Sequence, residues 1–530
     1  MTPSQLSRSL ISGFFRSLRT DPGHPALELG AKSLSYDQLW NYAGRITARL
    51  LNTLDPSERV VAVLADRSLG AYGGILGVLA SGRGYVPLNP KFPIERTLHM
   101  LRASGCRTVV VGEECAEALQ QMLPRLEPPL TLILPDAGFE PTIQSAPTHR
   151  VFVARELAKV ADPNEPKVEA GDTAYLLFTS GSTGVPKGVA VSQSNAVAYM
   201  EYAAKRWGIH GGDRCSQNFD LTFDLSVHDL FTCWDGGATL CPYPEQTLTP
   251  ATFVDELQLS VWFSVPSVAM FASKIGLLEP GAFPTLRWSL FCGEALSASL
   301  AAAWQQAANN SILENIYGPT EATIAITYYR WNAETSPDEC VSGLVPIGWP
   351  FEGQRVCVVN ENLDPVPCGE TGELCLGGSQ VTRGYLNDPE KTARSFVRLK
   401  HTGDQIWYRT GDLVRQDERG CSYYLGRRDF QVKVNGYRVE LQEIDLVLRE
   451  AARTELAVAI PWPMSEGSAS GIVGVLSGAD AARDKEIIAA CEARLPRYMV
   501  PNQLHHIPQM PLNVNGKIDR AKITEMLGKG

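Results

Sequence analysis

The sequence predicts an α/β protein: parallel or mixed sheets packed with helices, a β-rich subdomain, and a small mobile C-terminal α/β domain. Three observations predict it. Short apolar runs alternate with helix-period segments as far as about Glu321, the pattern of strands joined by crossover helices. The chain then becomes rich in β-branched residues, glycine and proline, which suggests the β-rich subdomain. After Gly426-Arg427-Arg428-Asp429 the pattern changes again, and residues 430–530 are about the size of an independent unit. A chain of 530 residues is too long for one core, given a prior of ~150 residues per domain. The expected division is a large domain over 1–427 and a small one over 428–530, with a hinge between them.

Taken in order, residues 1–20 read as an amphipathic helix with Leu6, Leu10, Phe14 and Leu18 on one face. Arg8, Arg16 and Arg19, with no acid nearby, give it a superficial likeness to a transit peptide; the helix is the plainer reading. Leu34-Ser35-Tyr36-Asp37-Gln38-Leu39 leads into a helix ending near Leu51. A strand is expected at 60–64 and a Gly- and Ala-rich helix over 68–81. Residues 82–90 (GRGYVPLNP) read as a sharp stop, through their glycines and prolines. Another helix opens after Pro93, strands follow at 108–111 and 131–134, and 161–166 is a loop. Residues 174–178 (AYLLF) are a buried strand and 189–191 a second one; later strands fall at 355–359 and 373–376.

Composition is ordinary for a globular protein, 44% hydrophobic and 20% charged. A net charge of −10 argues against nucleic-acid binding through a basic face, though not against binding one nucleotide. The twelve cysteines show no ligand spacing, so neither zinc nor a disulfide framework is indicated and a reducing, cytoplasmic setting fits best. No run approaches the ~20 apolar residues of a membrane span, so no membrane association is expected.

Between the strands at 174–178 and 189–191 lies Thr179-Ser180-Gly181-Ser182-Thr183-Gly184-Val185-Pro186-Lys187-Gly188. Glycines let backbone N–H groups approach a ligand, hydroxyls add donors, and Lys187 adds a mobile positive charge. That is a cradle for a triphosphate. It is not a Walker A loop, because Lys187 precedes Gly188 instead of a Ser or Thr that opens a helix. The stretch resembles the phosphate loop of the adenylate-forming superfamily, which includes acyl-CoA synthetases, luciferases and amino-acid adenylation enzymes. The resemblance runs from about Leu34 to Arg520 in the family's motif order, and it implies two mixed or parallel sheets in the large domain.

The remaining motifs carry a physical logic beside the resemblance. Asp224 sits among Leu221, Phe223, Leu225 and Val227, where a carboxylate is costly unless it meets a cation. In the amino-acid-activating branch an Asp at this position binds the substrate's α-ammonium; the alternative is a helix N-cap. Tyr317-Gly318-Pro319-Thr320-Glu321 offers an aromatic face for a base and a carboxylate for Mg²⁺. In the family the tyrosine lies against adenine, while Thr320 and Glu321 approach the phosphates and the metal. Asp412, in Tyr408-Arg409-Thr410-Gly411-Asp412, presents two acceptor oxygens suited to the ribose hydroxyls, and Arg427 resembles the arginine that also contacts the ribose. Asp429 resembles the family's hinge residue. Residues 430–440 (FQVKVNGYRVE) match the segment that presents Lys433 and Gly436 after the small domain rotates for the second half-reaction. In 511–520 (PLNVNGKIDR) an Asn-Gly turn thrusts out Lys517, which in the family enters the site to contact carboxylate and phosphate oxygens.

Two likenesses mislead. Leu376-Gly377-Gly378-Ser379 looks like a phosphopantetheine attachment tetrad, but it lies inside 373–385 (ELCLGGSQVTRGY), which matches a core adenylation motif. Only ten residues follow Arg520, so a carrier protein is expected to act in trans. Gln193 stands where many relatives carry histidine.

Carried over by motif, the amino-acid pocket is Asp224, Leu225, His228, Phe263, Leu290, Cys292, Gly293, Ile316, Ile324, Ala325 and Lys517. Between the two charged residues the lining is apolar, so a long or charged side chain is not expected. His228 either hydrogen-bonds a polar side chain or fills volume, with a lean to volume. The segments around Cys292 and 317–327 look most like D-alanine–carrier protein ligases, in which a cysteine at this place narrows the pocket; proline-activating enzymes are similar in layout. The resemblance thus implies a monomer that uses ATP and Mg²⁺ to activate D-Ala, Gly, L-Ala, Pro or a comparable small residue. The product passes to a phosphopantetheinylated carrier. The alternatives are an acyl- or aryl-CoA synthetase, against which Asp224 speaks, and a non-catalytic nucleotide-binding paralogue, against which Thr183, Glu321, Asp412 and Lys517 speak.

Overall fold

The computed structural model describes residues 8–139, 148–180, 186–243, 249–400, 402–428, 431–465, 468–512 and 518–528. Gly181, Ser182, Thr183, Gly184, Asp429 and Lys517 lie outside the described residues, as does Leu6.

Among the described residues the strands form five sheets. A seven-stranded sheet runs, in spatial order, Arg150–Val153, Thr131–Leu134, Thr108–Val111, Val60–Leu64, Gly84–Leu88, Thr173–Thr179 and Lys187–Ser192. It is parallel except for the last pair, an antiparallel hairpin in which Thr179 faces Lys187. A nine-stranded sheet has a parallel centre and antiparallel ends; its centre includes Val261–Ser264, Trp288–Phe291 and Ile312–Tyr317. A five-stranded antiparallel sheet follows, built on Thr371–Gly377 and Trp407–Gln416. This is the predicted mixture of parallel or mixed sheets and a β-rich region. Residues 431–506 build two further small sheets of four and three strands, around cores of their own.

Local signals place the helices. Ser35 and Gln38 form a reciprocal capping box that starts Tyr36–Thr53, and Ser68 caps Leu69–Ala80. The first helix is shorter than its pattern suggests. It spans Ser12–Thr20, and Leu10 precedes it, although Leu10, Phe14 and Leu18 are all buried. Residues 82–90 do not simply stop an element: Gly84–Leu88 is a fully buried strand. Pro87 is tolerated there because pairing with Thr173–Thr179 is confined to Tyr85 and Tyr175, so no ladder bond on that side needs its missing N–H. All twelve cysteines are free thiols. No helix among the described residues is long and apolar enough to cross a membrane.

The small sheets touch the rest of the chain at a buried ion pair, Arg96 Nη1 to Glu443 Oε1 at 2.6 Å, and through the hairpin Gln431–Val434 and Tyr437–Glu440. Tyr437 and Tyr498 stack with centroids 3.8 Å apart, and the Phe223 ring meets Tyr437 edge-on at 4.9 Å.

Candidate active site

Three adjacent parallel strands, Val261–Ser264, Trp288–Phe291 and Ile312–Tyr317, end side by side, with Phe263 paired in register with Leu290. Their C-terminal ends deliver Phe263, Leu290, Cys292, Gly293, Ile316, Tyr317 and Gly318 to one region, where open α/β sheets bind ligands. The helix Leu225–Asp235 brings Asp224, Leu225 and His228 to the same place.

Asp224 precedes that helix, but its side chain makes no capping bond. Instead its Oδ2 accepts the Ile324 N–H at 3.0 Å. Ile324 (φ 71°) and Thr323 (φ 59°) both hold left-handed backbone, strain of the kind that collects at functional sites. Burial pushes the Asp224 carboxyl up to about 6; the Ile324 N–H draws it back, and the Glu321 charge adds to the rise. Cys292 is buried deeply enough that its thiol is pushed up to about 12, so it is neutral at pH 7.

A cavity of about 80 Å³ collects Asp224, Leu225, Cys292, Gly293, Tyr317, Gly318, Thr320, Asp412, Arg427, Lys433 and Gly436. It is far below the roughly 300–1,000 Å³ of drug-sized ligand pockets. The 431–440 hairpin fills the space: Gln431, Val432, Lys433, Gly436 and Arg438 all line it. Phe263, Leu290, Ile316, Ile324 and Ala325 do not line this cavity; they are buried in the apolar cluster that also contains Leu225 and Cys292. His228 is buried, packs edge-on against Phe263 at 4.5 Å, and pairs through Nδ1 with the Tyr199 hydroxyl at 2.7 Å. Burial holds its imidazole down to about 3, hence neutral. It fills volume and also makes a hydrogen bond, to the protein itself. A larger groove of about 650 Å³ lies between 91–94 and 488–502 and holds none of the predicted site residues.

On one wall the Tyr317 hydroxyl donates to Asp412 Oδ2, and Arg427 Nη1 reaches Asp412 Oδ1 at 2.6 Å. Arg427 also donates to the Thr410 carbonyl at 3.0 Å. Asp412 is thus held by a phenol and a guanidinium. Lys433 comes from the hairpin, its ammonium 5.9 Å from the centroid of the Tyr317 ring. The Gly436 N–H donates to the Glu294 carboxylate.

On the other wall Glu321 is fully buried. Its Oε1 accepts from Lys187 Nζ at 3.0 Å and from the Tyr385 hydroxyl at 2.8 Å, and its Oε2 from Arg438 Nη1 at 3.1 Å. Burial raises the carboxyl, but Lys187, Arg438 and Tyr385 together hold it well below the usual range, so it is ionised. Lys187 corrects an expectation: it is no mobile charge but a buried residue on a strand, with its ammonium 4.6 Å over the Tyr385 ring. The fixed hairpin register sets Lys187 opposite Thr179, and its ammonium reaches Glu321. Thr179 Oγ1 is buried with no partner among the described residues, and Ser180 Oγ donates to the Arg438 carbonyl at 2.7 Å. Glu321 fits Mg²⁺ by donor type: a single carboxylate joined by phosphate oxygens is a usual set for that ion.

Sequence reasoning missed Arg438, Tyr385 and Glu294. All three lie inside segments already singled out: Arg438 on the second strand of the 431–440 hairpin, Tyr385 at the end of 373–385, and Glu294 directly after Gly293. Gln193 is buried and accepts the Leu10 N–H at 3.0 Å, so it holds the N-terminal segment. Leu376 and Gly377 end a buried strand, as a core motif requires and an exposed attachment loop does not.

Comparison with known proteins agrees with this geometry. The family described as AMP-binding enzyme matches residues 14–386. A D-alanine–D-alanyl carrier protein ligase of Listeria welshimeri is 32% identical, over 96% of this chain and 97% of its own length. Tyrocidine synthase 3 of Brevibacillus parabrevis is 32% identical over 96% of this chain, which spans only 7% of that protein's length. Among solved structures, the Vibrio cholerae adenylation domain AlmE in complex with glycyl-adenosine-5'-phosphate superposes with a TM-score of 0.88 at 34% identity, covering 100% of both chains. The family match over most of the chain, on the fold and motif order described above, makes this protein a member of the AMP-binding enzyme family, an adenylate-forming enzyme.

Proposed function

We propose that the protein activates a small, mostly apolar amino acid of the D-Ala, Gly, L-Ala or Pro type as aminoacyl-AMP and passes it to a carrier protein in trans. The observation that carries this reading is Asp224, a carboxylate buried beside the apolar cluster. It hydrogen-bonds the Ile324 N–H and the Thr320 hydroxyl but has no cationic side chain paired with it among the described residues, and an ammonium would balance its charge. The glycyl adenylate in the Vibrio relative and the carrier ligase activity named for the Listeria relative support the same substrate size and acceptor.

In the first step a carboxylate oxygen of the amino acid attacks the α-phosphorus of ATP. The new P–O bond forms as the α–β bridging bond breaks, and its electron pair leaves with pyrophosphate. A carboxylate is already nucleophilic, so catalysis is positioning plus electrostatics. Asp224 holds the ammonium, Asp412 with Arg427 the ribose, and the Tyr317 face the adenine. Thr179, Ser180, Thr183 and Thr320 offer hydroxyls to the phosphates. Glu321 would hold Mg²⁺, which when bound neutralises charge on the phosphates. In the second step the carrier's phosphopantetheine sulfur attacks the acyl carbon. The C–S bond forms, the C–O bond to AMP breaks, and the thiol proton goes to water. We assign the arrangement seen, with the 431–440 hairpin in the site, to this second step. Residues 428–530 then form the rotating small domain, with its hinge at Asp429.

A pyrophosphate-exchange panel of amino acids, both enantiomers, against fatty and aryl acids tests the reading. Exchange with small amino acids alone is expected; exchange only with fatty or aryl acids would sink it, and an absence of AMP formation with any acid would favour the non-catalytic alternative.

Asp224 also predicts a pH profile. Folding raises its pKa from 3.8 to about 6, so ionising it destabilises the fold by about 3 kcal/mol, a cost absent below pH 4 and complete above pH 6. The ammonium needs the ionised form. In the free enzyme, kcat/KM for the amino acid should fall about tenfold per unit below pH 6. A profile flat from about pH 5 to pH 8 would contradict the assignment.

Phe263→Ala should shift preference toward larger apolar amino acids, because it removes the largest side chain proposed for the pocket. Phe263 is 1% exposed, so stability should also fall, by roughly 3–5 kcal/mol. Unaltered preference in a still-folded variant would place Phe263 outside the pocket.

A further inference from the structure

Resting on the function proposed above, Glu321 has two claimants. In the first half-reaction its carboxylate belongs with Mg²⁺ and the phosphates. In this arrangement Arg438 takes that place. Arg438 Nη1 lies 3.1 Å from Glu321 Oε2, its Nε donates to Gln431 Oε1 at 2.6 Å, and its Nη2 donates to the Tyr408 hydroxyl at 3.4 Å. The guanidinium is thus fixed on three sides. The same residue's carbonyl accepts the Ser180 hydroxyl at 2.7 Å, at the foot of the phosphate loop. One hairpin residue therefore covers both a carboxylate assigned to the metal and a hydroxyl assigned to the phosphates.

Electrostatics require some cation on that side of Glu321. The residue is 0% exposed, and Lys187 and Tyr385 both approach Oε1. A buried carboxylate that loses one of its cations is strongly destabilising. We propose that Arg438 and magnesium pyrophosphate are mutually exclusive occupants of Glu321 and Ser180, so that the hairpin seats only once the pyrophosphate has left. Arg438 is then a positioning residue that replaces the metal's charge at Glu321 and so orders the two half-reactions.

The test uses the full-length protein and two readouts besides activity. The first is hydrogen exchange at the amides of 432–438 in the wild type, with and without magnesium pyrophosphate at constant ionic strength. Exchange should rise severalfold when magnesium pyrophosphate is present; unchanged protection would overturn the proposal, and this arm needs no variant to fold. The second is Mn²⁺ binding in the presence of pyrophosphate, read by electron paramagnetic resonance. A competitor seated in about nine molecules of ten weakens apparent affinity about tenfold. Arg438→Met should therefore bind Mn²⁺ about tenfold more tightly than wild type, and Arg438→Lys should restore much of the competition. Equal affinities in all three would overturn it. A protein that shows this competition but no exchange with any amino acid keeps the inference about Glu321 and loses the amino-acid reading. One that exchanges with amino acids but shows no competition does the reverse.

Discussion

Asp224→Ala is expected to abolish amino-acid activation while leaving ATP binding near normal. Removing one member of a buried charge pair costs about 2–5 kcal/mol, which is about 30- to 5,000-fold in kcat/KM. Alanine also strands the Ile324 N–H that Asp224 now accepts at 3.0 Å, so part of the loss could come through the 323–326 backbone. Asp224→Asn separates the two effects, because the amide oxygen still accepts that N–H but carries no charge. Both variants should fail in amino-acid-dependent pyrophosphate exchange and both should bind ATP in a titration. Wild-type turnover in the Asn variant would mean that Asp224 pins the backbone and does not hold the ammonium.

The second large effect separates the half-reactions. Gly436 has φ 83°, and a Cβ built on it would lie 2.4 Å from Val265 Cγ1. Any side chain there is both strained and blocked. Gly436→Leu should therefore unseat the hairpin: pyrophosphate exchange persists, and loading of a phosphopantetheinylated carrier fails. Lys517→Ala should do the opposite. A preorganised cation at the adenylation step is worth roughly 3–4 kcal/mol, or about 10²–10³ in rate, so exchange stops while carrier loading from preformed aminoacyl-AMP continues. Equal loss of both steps in both variants would end the account in which one small domain serves them in turn.

Much of this was legible in the sequence because the site is built from contiguous motifs. Tyr317 to Glu321 and Lys433 to Gly436 are each a short continuous run, a strand end and the turn after it, so nearness in the chain alone brings their residues together. What escaped notice depends on the third dimension. The Glu321 network joins Lys187, Tyr385 and Arg438, which are far apart in the chain, and no periodicity links them. For the same reason Lys187 read as mobile, when the pairing that fixes it is a register between two strands. The Gly84–Leu88 strand was masked by Pro87, whose penalty depends on which neighbour needs its N–H. The motif order placed the pocket residues in one region, but it could not show that Phe263, Leu290 and Ile316 stand behind the cavity wall while the hairpin is in the site.

The left-handed turn at Thr323 and Ile324 bears on how such an enzyme changes its substrate over evolutionary time. A β-branched residue at φ 71° carries strain of about 1–2 kcal/mol that glycine or asparagine would not. Replacing a buried isoleucine by something smaller ordinarily costs about 2–5 kcal/mol, but here relief of backbone strain refunds part of it. At Phe263, on a regular strand, no such relief is available. Mutational drift toward bulkier substrates therefore has an easier path through Ile324 than through Phe263. The N–H that positions Asp224 is a backbone group, so it survives every such change, and a lineage can alter which side chain it accepts without losing its grip on the amino acid.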